Sequence, residues 1–487
     1  MELKPEHESF IRDFLESLED RNAAIFAGAG LSVGAGHVDW KGLLEDIAKE
    51  IGLDINKEED LIAVAQYHYN EKRGRSKLNK KILNIFTEDV EETENHRILA
   101  RLPINTYWTT NYDKLIETSL EKNNMIVDVK HENKQLTTSK YKRDAVVYKM
   151  HGDAEHPADA IITRDDYEKY FRTHEPFINA LQGDLITKTF LFIGFSFNDP
   201  NLEYALSRVR LNFGENSSHH YCFVKSIDEK DFTDKKGNLN KADFDYQKRR
   251  QELRVNDLRE YHINPVMVDS YTEITEILAE IERRFRMRSI FISGSAEEYG
   301  EWGKDRAIKL IHKLSGKLVS KQYRIVNGFG WGIGSAVING ALEQIYKNPK
   351  KHSEDQLVVK PFPQFATGDK ELPELWKDYR ERMISLTGIA IFLFGNKKNP
   401  KKENEIILAD GVKKEFEIAI KAGCIPIPIG STGYMAKELW GEIHVNWSDY
   451  YTNVGEIEDD LKILQEEQQA DKVIAEIVRI IEIINKT

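Results

Sequence analysis

Two cysteines, Cys222 and Cys424, are all that the 487 residues carry, and they stand far apart. A disulfide framework and a four-cysteine zinc site are both excluded, because each needs paired cysteines that this chain does not have. Long apolar runs are missing as well: no stretch of the sequence approaches the roughly 20 residues that a membrane-spanning helix requires. A basic excess is missing too. The formal net charge is −12, which speaks against nucleic acid as a partner, since a phosphate backbone calls for a basic face. One local basic pocket is still allowed. The opening residues, Met1-Glu2-Leu3-Lys4-Pro5-Glu6-His7-Glu8, are polar and acidic, unlike a signal peptide. The expectation is a soluble, cytoplasmic protein with no nucleic-acid partner, no membrane partner and no bound metal.

What is present is ordinary globular stock, 40% hydrophobic and 31% charged, in a length that suits two or three domains. Short apolar runs alternate with helical patterns, the signature of an α/β chain. In the first half the candidate strands are 23–27, 106–109, 145–150, 190–195, 220–224 and 265–268. Their near-continuous apolar character suits a parallel sheet covered on both faces. Helical patterns cover 40–51 and 60–69, and the charged stretch 225–250 reads as a solvated excursion. A helix over 273–285 closes the first domain. A second α/β pattern follows, with strands at 289–293, 324–327, 389–394 and 425–429. The expected architecture is two Rossmann-like parallel-sheet domains, 1–284 and 285–487, with no Pro/Gly/Ser-rich linker between them.

Four polar clusters in the first half stand at the ends of candidate strands. Gly28-Ala29-Gly30-Leu31-Ser32 comes directly after strand 23–27. Small residues at such a turn let backbone N–H groups approach a pyrophosphate. Thr109-Thr110-Asn111-Tyr112-Asp113 and Lys149-Met150-His151-Gly152-Asp153 follow two further strands, and Gly194-Phe195-Ser196-Phe197-Asn198-Asp199 follows a fourth. Ligands of open α/β sheets gather beyond the carboxyl ends of the strands, so these groups can share one crevice. Singly, an Asx turn would explain Asn111 and Asp113, a satisfied histidine His151, and a helix cap Asp199. The ordered set is harder to explain that way.

That set resembles the sirtuin family over roughly residues 15 to 280. The resemblance implies that Gly28, Ala29, Gly30 and Ser32 hold the pyrophosphate of NAD, with Gly194 and Ser196 also at the nucleotide. It places Asn111 and Asp113 around the nicotinamide and its ribose, and makes His151 the general base. Nicotinamide on ribose is already a cationic leaving group and needs no general acid. An amide that positions water and an imidazole that titrates near neutrality suit the rest of the reaction. Sirtuins that deacylate proteins carry a zinc module with two CxxC pairs. No such pair occurs here, so the expectation is hydrolysis of NAD, with NAD as substrate and no further cofactor. The alternative is an NAD-dependent protein deacylase.

In the second half, strand 289–293 leads into Gly294-Ser295. Strand 324–327 leads into Gly328-Phe329-Gly330-Trp331-Gly332-Ile333-Gly334-Ser335, followed by a helix over 336–345. A glycine-rich turn at a helix start invites a nucleotide phosphate. The arrangement resembles the SLOG group of nucleotide-binding domains over about 288 to 485. Enzymatic relatives in that group carry a Pro-Gly-Gly-x-Gly-Thr-x-x-Glu motif after a later strand. Here strand 389–394 ends in Gly395-Asn396-Lys397 instead, which favours a ligand sensor. Candidate contacts are Gly294, Ser295, Gly330, Gly332, Gly334, Arg380, Lys397 and Glu415. Arginine grips phosphate bidentately, and a carboxylate accepts ribose hydroxyls.

Taken whole, a sirtuin-like domain followed by a SLOG domain resembles the effectors of the Thoeris anti-phage systems. The resemblance implies a switch. A TIR-domain protein makes a cyclic ADP-ribose isomer, the SLOG domain binds it, and the sirtuin-like domain then depletes cellular NAD. It also implies a homo-oligomer, a tetramer able to build filaments.

Overall fold

The computed structural model describes residues 3–214, 218–363, 365–366, 371–402, 405–451 and 457–485. The chain divides into two compact units, Met1–Glu282 and Arg283–Thr487. The division falls within the helix Tyr271–Met287.

The first unit is built on seven parallel strands. They are β1 Ala23–Ala27, β2 Thr106–Thr109, β3 Val127–Lys130, β4 Ala145–Lys149, β5 Thr189–Ile193, β6 His220–Lys225 and β7 Ile263–Val268, in the order β3-β4-β2-β1-β5-β6-β7. All five residues of β1 are buried, because strands lie on both sides of it and helices cover both faces. The chain winds outward from β1 through β2 to β4 and β3, then returns to the other side of β1 at β5. The reversal between β1 and β5 opens a crevice at the carboxyl ends of the strands. The expected strand 190–195 stops at Ile193, because Gly194 turns into the left-handed region with φ +64°. Strand β3 is not legible as apolar: its Asp128 and Lys130 are buried as an ion pair of 2.9 Å, with Arg143 2.9 Å from the same carboxylate. Within the charged stretch 225–250 begins the helix Lys241–Glu260, on which only Phe244 and Leu258 are buried.

The second unit repeats the plan. Strands β8 Ser289–Ser295, β9 Arg324–Asn327, β10 Leu357–Val359, β11 Ile389–Phe394 and β14 Ile425–Pro428 form a parallel sheet ordered β10-β9-β8-β11-β14. Between β11 and β14 lies an antiparallel ribbon of β12 Asn396–Lys398 and β13 Ile406–Leu408. Winding reverses at β8, whose neighbours are β9 and β11. The expected α/β class with two parallel-sheet units is therefore what the chain adopts. No helix among the described residues is long and apolar enough to cross a membrane.

The helix Ala470–Ile484 buries Val473, Ile477, Ile480, Ile481 and Ile484 on one stripe. Each such side chain contributes about 1.5–3 kcal/mol when removed from water. Beside that stripe sits a titratable defect. Glu476 lies against Asp460 of the helix Glu458–Glu466, with Arg479 3.1 Å from Asp460. Burial first, and then its contact with Asp460, push the Glu476 carboxyl up to about 7. A raised acid binds its proton more tightly in the folded state, so its contribution is complete below the unfolded value and is lost as pH rises through the folded one. We expect Glu476→Gln to raise the unfolding temperature of the second unit at about pH 8 and to leave it unchanged at about pH 4. Calorimetry of the full chain at both pH values checks this, and equal shifts at both would refute it.

Candidate functional site

The ends of four strands stand abreast in the first unit. Ala27 of β1 is in register with Thr109 of β2 on one side and Ile193 of β5 on the other, and Thr109 is in register with Lys149 of β4. Just beyond this row the turn after β1 meets the turn after β5. Gly28 N donates to Ile193 O at 2.9 Å, and Gly30 N donates to Gly194 O at 2.9 Å. A Cβ on Gly194 would stand 2.2 Å from Leu31 N, and its φ of +64° disfavours any side chain. The N–H groups of Gly28 and Gly30 are therefore engaged by the turn after β5. What the glycines supply is main-chain contact between two turns. The helix that follows, Ala29–Val33, is only five residues long.

Asn111 is tied to that turn. Thr109 Oγ1 donates to Ala27 O at 3.0 Å and accepts from Asn111 N at 2.9 Å. The Asn111 amide then donates to Gly28 O at 3.0 Å and to Ser32 Oγ at 3.1 Å. At the start of the helix Leu115–Lys122, Asp113 accepts from Leu115 N at 3.0 Å, and its other oxygen is buried with no partner among the described residues. A recess of about 330 Å³, counting its open mouth, is lined by Ala29, Ser32, Trp40, Asn111 and Asp113 among others. Behind the turn, burial lowers the His96 imidazole to about 4, against the opposing pull of Asp113 and Glu92.

His151 is 1% exposed, with its ring edge-on to Tyr167 at 5.4 Å. Its Nε2 lies 3.0 Å from Asp199 Oδ2, yet neither ring nitrogen is aligned for a hydrogen bond to any described residue. Asp199 also caps the helix Pro200–Phe213, accepting from Asn201 N at 3.0 Å and Leu202 N at 2.9 Å, and takes the Tyr167 hydroxyl at 3.2 Å. Burial works to raise its carboxyl, but His151 and these donors outweigh it and hold the group below the usual carboxylate range. Asn201 is fully buried, and neither amide atom is paired among the described residues. Buried polar groups are nearly always hydrogen-bonded. Among the exceptions in the described residues, some, such as His7, His68 and Ser119, lie elsewhere in the unit, and those at Asp113, His151 and Asn201 fall on the segments that follow β2, β4 and β5. That is where a polar ligand would be received.

The second unit has its own arrangement at the same sheet edge. Asn327 Nδ2 donates to Ile292 O at 2.8 Å, and its carbonyl oxygen accepts from Phe329 N at 2.8 Å, which starts the glycine turn. Ala296 N donates to Trp331 O at 2.8 Å. A Cβ on Gly332, at φ +75°, would stand 1.9 Å from Ala296 O, so this turn is also packed main chain to main chain. Gly294, Gly330 and Gly334 lie in the same packed region. Phe329 and Trp331 are 52% and 72% exposed beside it. On the helix Asp410–Lys421, Glu415 accepts from Ser293 Oγ at 2.6 Å and from Arg380 Nε at 3.3 Å. Burial pushes the Glu415 carboxyl up, against the pull of both donors. The Arg380 guanidinium lies over the Phe362 ring at 4.8 Å. Ser295 Oγ donates to Asn396 O at 3.0 Å.

Known proteins resemble this chain along nearly all of its length. It is 49% identical to the "NAD(+) hydrolase ThsA" of Bacillus cereus (strain MSX-D12) over 452 residues, 93% of this chain and 92% of that protein. It belongs to the ThsA family. Further ThsA relatives are those of Cytobacillus dafuensis, 46% identical over 97% of this chain and 96% of its own length, and of Enterococcus faecium, 43% identical over 97% and 98%. Residues 105–247 match the SIR2-like domain family, and residues 273–484 match the Sir2- and TIR-associating SLOG family.

Within this ThsA-family chain, Gly28, Ser32 and Asn111 form one bonded group, and His151 stands against Asp199. Ser196 is exposed, and its carbonyl accepts from Arg254, which also reaches Asn198 at 2.9 Å. Arg380 and Glu415 are joined, whereas Lys397 is paired with Asp410. Sequence reasoning missed the histidine partner role of Asp199 and the role of Ser293. A serine inside the otherwise apolar run Ile290-Phe291-Ile292 was the available signal for the latter. Gly194→Ala should destabilise the first unit by at least about 2 kcal/mol, through clash and strain at positive φ. Gly183→Ala, on an exposed helical face with nothing within 4 Å, should be neutral or stabilise by up to about 1 kcal/mol. Denaturant unfolding compares the two, and similar effects would refute the seam.

Proposed function

We propose that the first unit hydrolyses the nicotinamide–ribose bond of NAD+, releasing nicotinamide and ADP-ribose. The observation that carries this reading is an Asn111 amide fixed by Gly28 and Ser32, with a buried Asp113 oxygen left over two residues on and the buried His151–Asp199 pair following the neighbouring strand β4. The names of the ThsA relatives support it. In this reading the C–N bond breaks with its electron pair leaving on neutral nicotinamide. Water, positioned by Asn111, forms the new C–O bond at the anomeric carbon. His151 takes the proton from that water, and Asp199 steadies the imidazolium that results. NAD+ is substrate, Gly28, Ala29, Gly30, Ser32, Gly194 and Ser196 stand on its nucleotide side, Asp113 lies near the nicotinamide ribose, and no further cofactor takes part. We assign this activity to residues 1–284.

To residues 285–487 we assign the binding of a cyclic ADP-ribose isomer made by a TIR-domain protein. The words "TIR-associating" in the matched family description support this, as does the Arg380–Glu415–Ser293 cluster at a sheet edge beside a glycine turn. Arg380 and Lys397 would meet phosphate, Glu415 a ribose hydroxyl, and Gly294, Ser295, Gly330, Gly332 and Gly334 the space between. Signal binding favours the active state only through tighter binding to it, and moving a population from about 1:99 to 99:1 takes roughly 5.5 kcal/mol of differential affinity. The same reading includes a cytoplasmic homo-oligomer, a tetramer able to build filaments, that depletes NAD+ in anti-phage defence.

NAD+ loss is measured with full-length protein, with and without a cyclic ADP-ribose isomer produced by a TIR enzyme. We expect Asn111→Ala and His151→Ala to abolish the loss while unfolding like the parent, and full turnover in either would remove the site assignment. Deacylation of an acetyl-lysine peptide without free NAD+ hydrolysis would replace hydrolase by deacylase. Arg380→Ala should remove the response to the isomer, and a normal response would place the signal pocket elsewhere.

A further inference from the structure

Lys149, at the end of β4, is fully buried. Its ammonium donates to Tyr112 O at 3.1 Å, Asp113 O at 2.6 Å, Glu117 Oε1 at 3.0 Å and Asp153 Oδ2 at 2.7 Å. Three N–H groups thus face four acceptors, a saturated arrangement for a lysine. Burying an ammonium is unfavourable, and an apolar side chain would fill a strand end at less desolvation cost. What an apolar side chain cannot do is hold two carbonyls of one loop and a carboxylate of another at the same time. The two carbonyls belong to the residues directly after Asn111. Asp153 lies two residues beyond His151, and Lys149 lies two residues before it. Burial alone would lower the Lys149 ammonium, but Glu117 and Asp153 outweigh it and hold the charge in place.

We infer that Lys149 is a positioning residue: its ammonium sets the separation of Asn111 from His151 across the ends of β2 and β4. This rests on the hydrolase reading for its catalytic consequence, though the clamp itself does not. Glu117, on the helix Leu115–Lys122, gives the ammonium a second carboxylate at 3.0 Å, from outside both loops.

The test uses full-length protein. Lys149→Met combined with Glu117→Gln and Asp153→Asn removes the clamp without stranding a buried charge. Asp153→Ala cuts only the arm to the His151 loop. Backbone hydrogen exchange is followed at 110–113 and 151–154, and kcat and KM for NAD+ are measured with a TIR-made cyclic ADP-ribose isomer present. In the triple variant, exchange should rise in both segments and kcat should fall about a hundredfold, the scale expected for a misplacement of about 1 Å. KM should stay within about twofold, because the ground-state contacts are kept. Asp153→Ala should raise exchange at 151–154 and lower kcat about tenfold, and it decides the matter if the triple variant does not fold. Unchanged exchange, an unchanged kcat, or a rise in KM alone would overturn the inference. If the parent never consumes NAD+, the hydrolase reading fails, and the exchange pattern still decides whether Lys149 clamps the two loops.

Discussion

The first unit depends on how closely two backbone turns approach at the seam between β1 and β5. Winding reverses there, so the turns after these strands face each other with nothing between them. Gly28 and Gly30 donate to the carbonyls at the end of β5, and Gly194 leaves no room for a methyl group against Leu31. Once the seam closes, Gly28 O and Ser32 Oγ stand where the Asn111 amide reaches them. The position of Asn111 is thus a consequence of main-chain packing two strands away.

Polar satisfaction is uneven across the first unit. Asp128, Lys130 and Arg143 are compensated within a buried ion-pair cluster. His151 is not: its ring is enclosed, its one close carboxylate is Asp199, and that carboxylate already serves a helix start and a tyrosine hydroxyl. A buried polar atom left without its hydrogen bond is unfavourable by about 1–3 kcal/mol. Asp199 shows that a capping residue and a functional partner can be one side chain.

How much was legible in the sequence follows from the same physics. Strands β1, β2, β9 and β11 were readable residue by residue, because strands buried on both faces show as unbroken apolar runs ending in small or polar residues. Strand β3 was not, since its buried charges read as surface, and neither were the three-residue strands β10, β12 and β13, whose pairing is set by tertiary context. Asn111 and His151 could be placed at strand ends from their motifs. The packing of the glycines could not: nothing in the local sequence shows that Gly28 and Gly30 lie against the turn after β5. The pairing of Arg380 with Glu415 joins residues 35 apart in sequence, and only the reversal of winding at β8 brings their helices together.

The two units also differ in what surrounds their crevices. Around Asn111 the fixed points are carbonyls and turns, and main chain packed against main chain has almost no soft degrees of freedom. Around Glu415 the groups are long side chains, Arg380 over Phe362 and Lys397 on Asp410, with Phe329 and Trp331 standing largely free of the core. Such groups move between staggered rotamers without disturbing the sheet. The first crevice is in effect a machined fixture, walled by backbone, and the second is walled by jointed side chains.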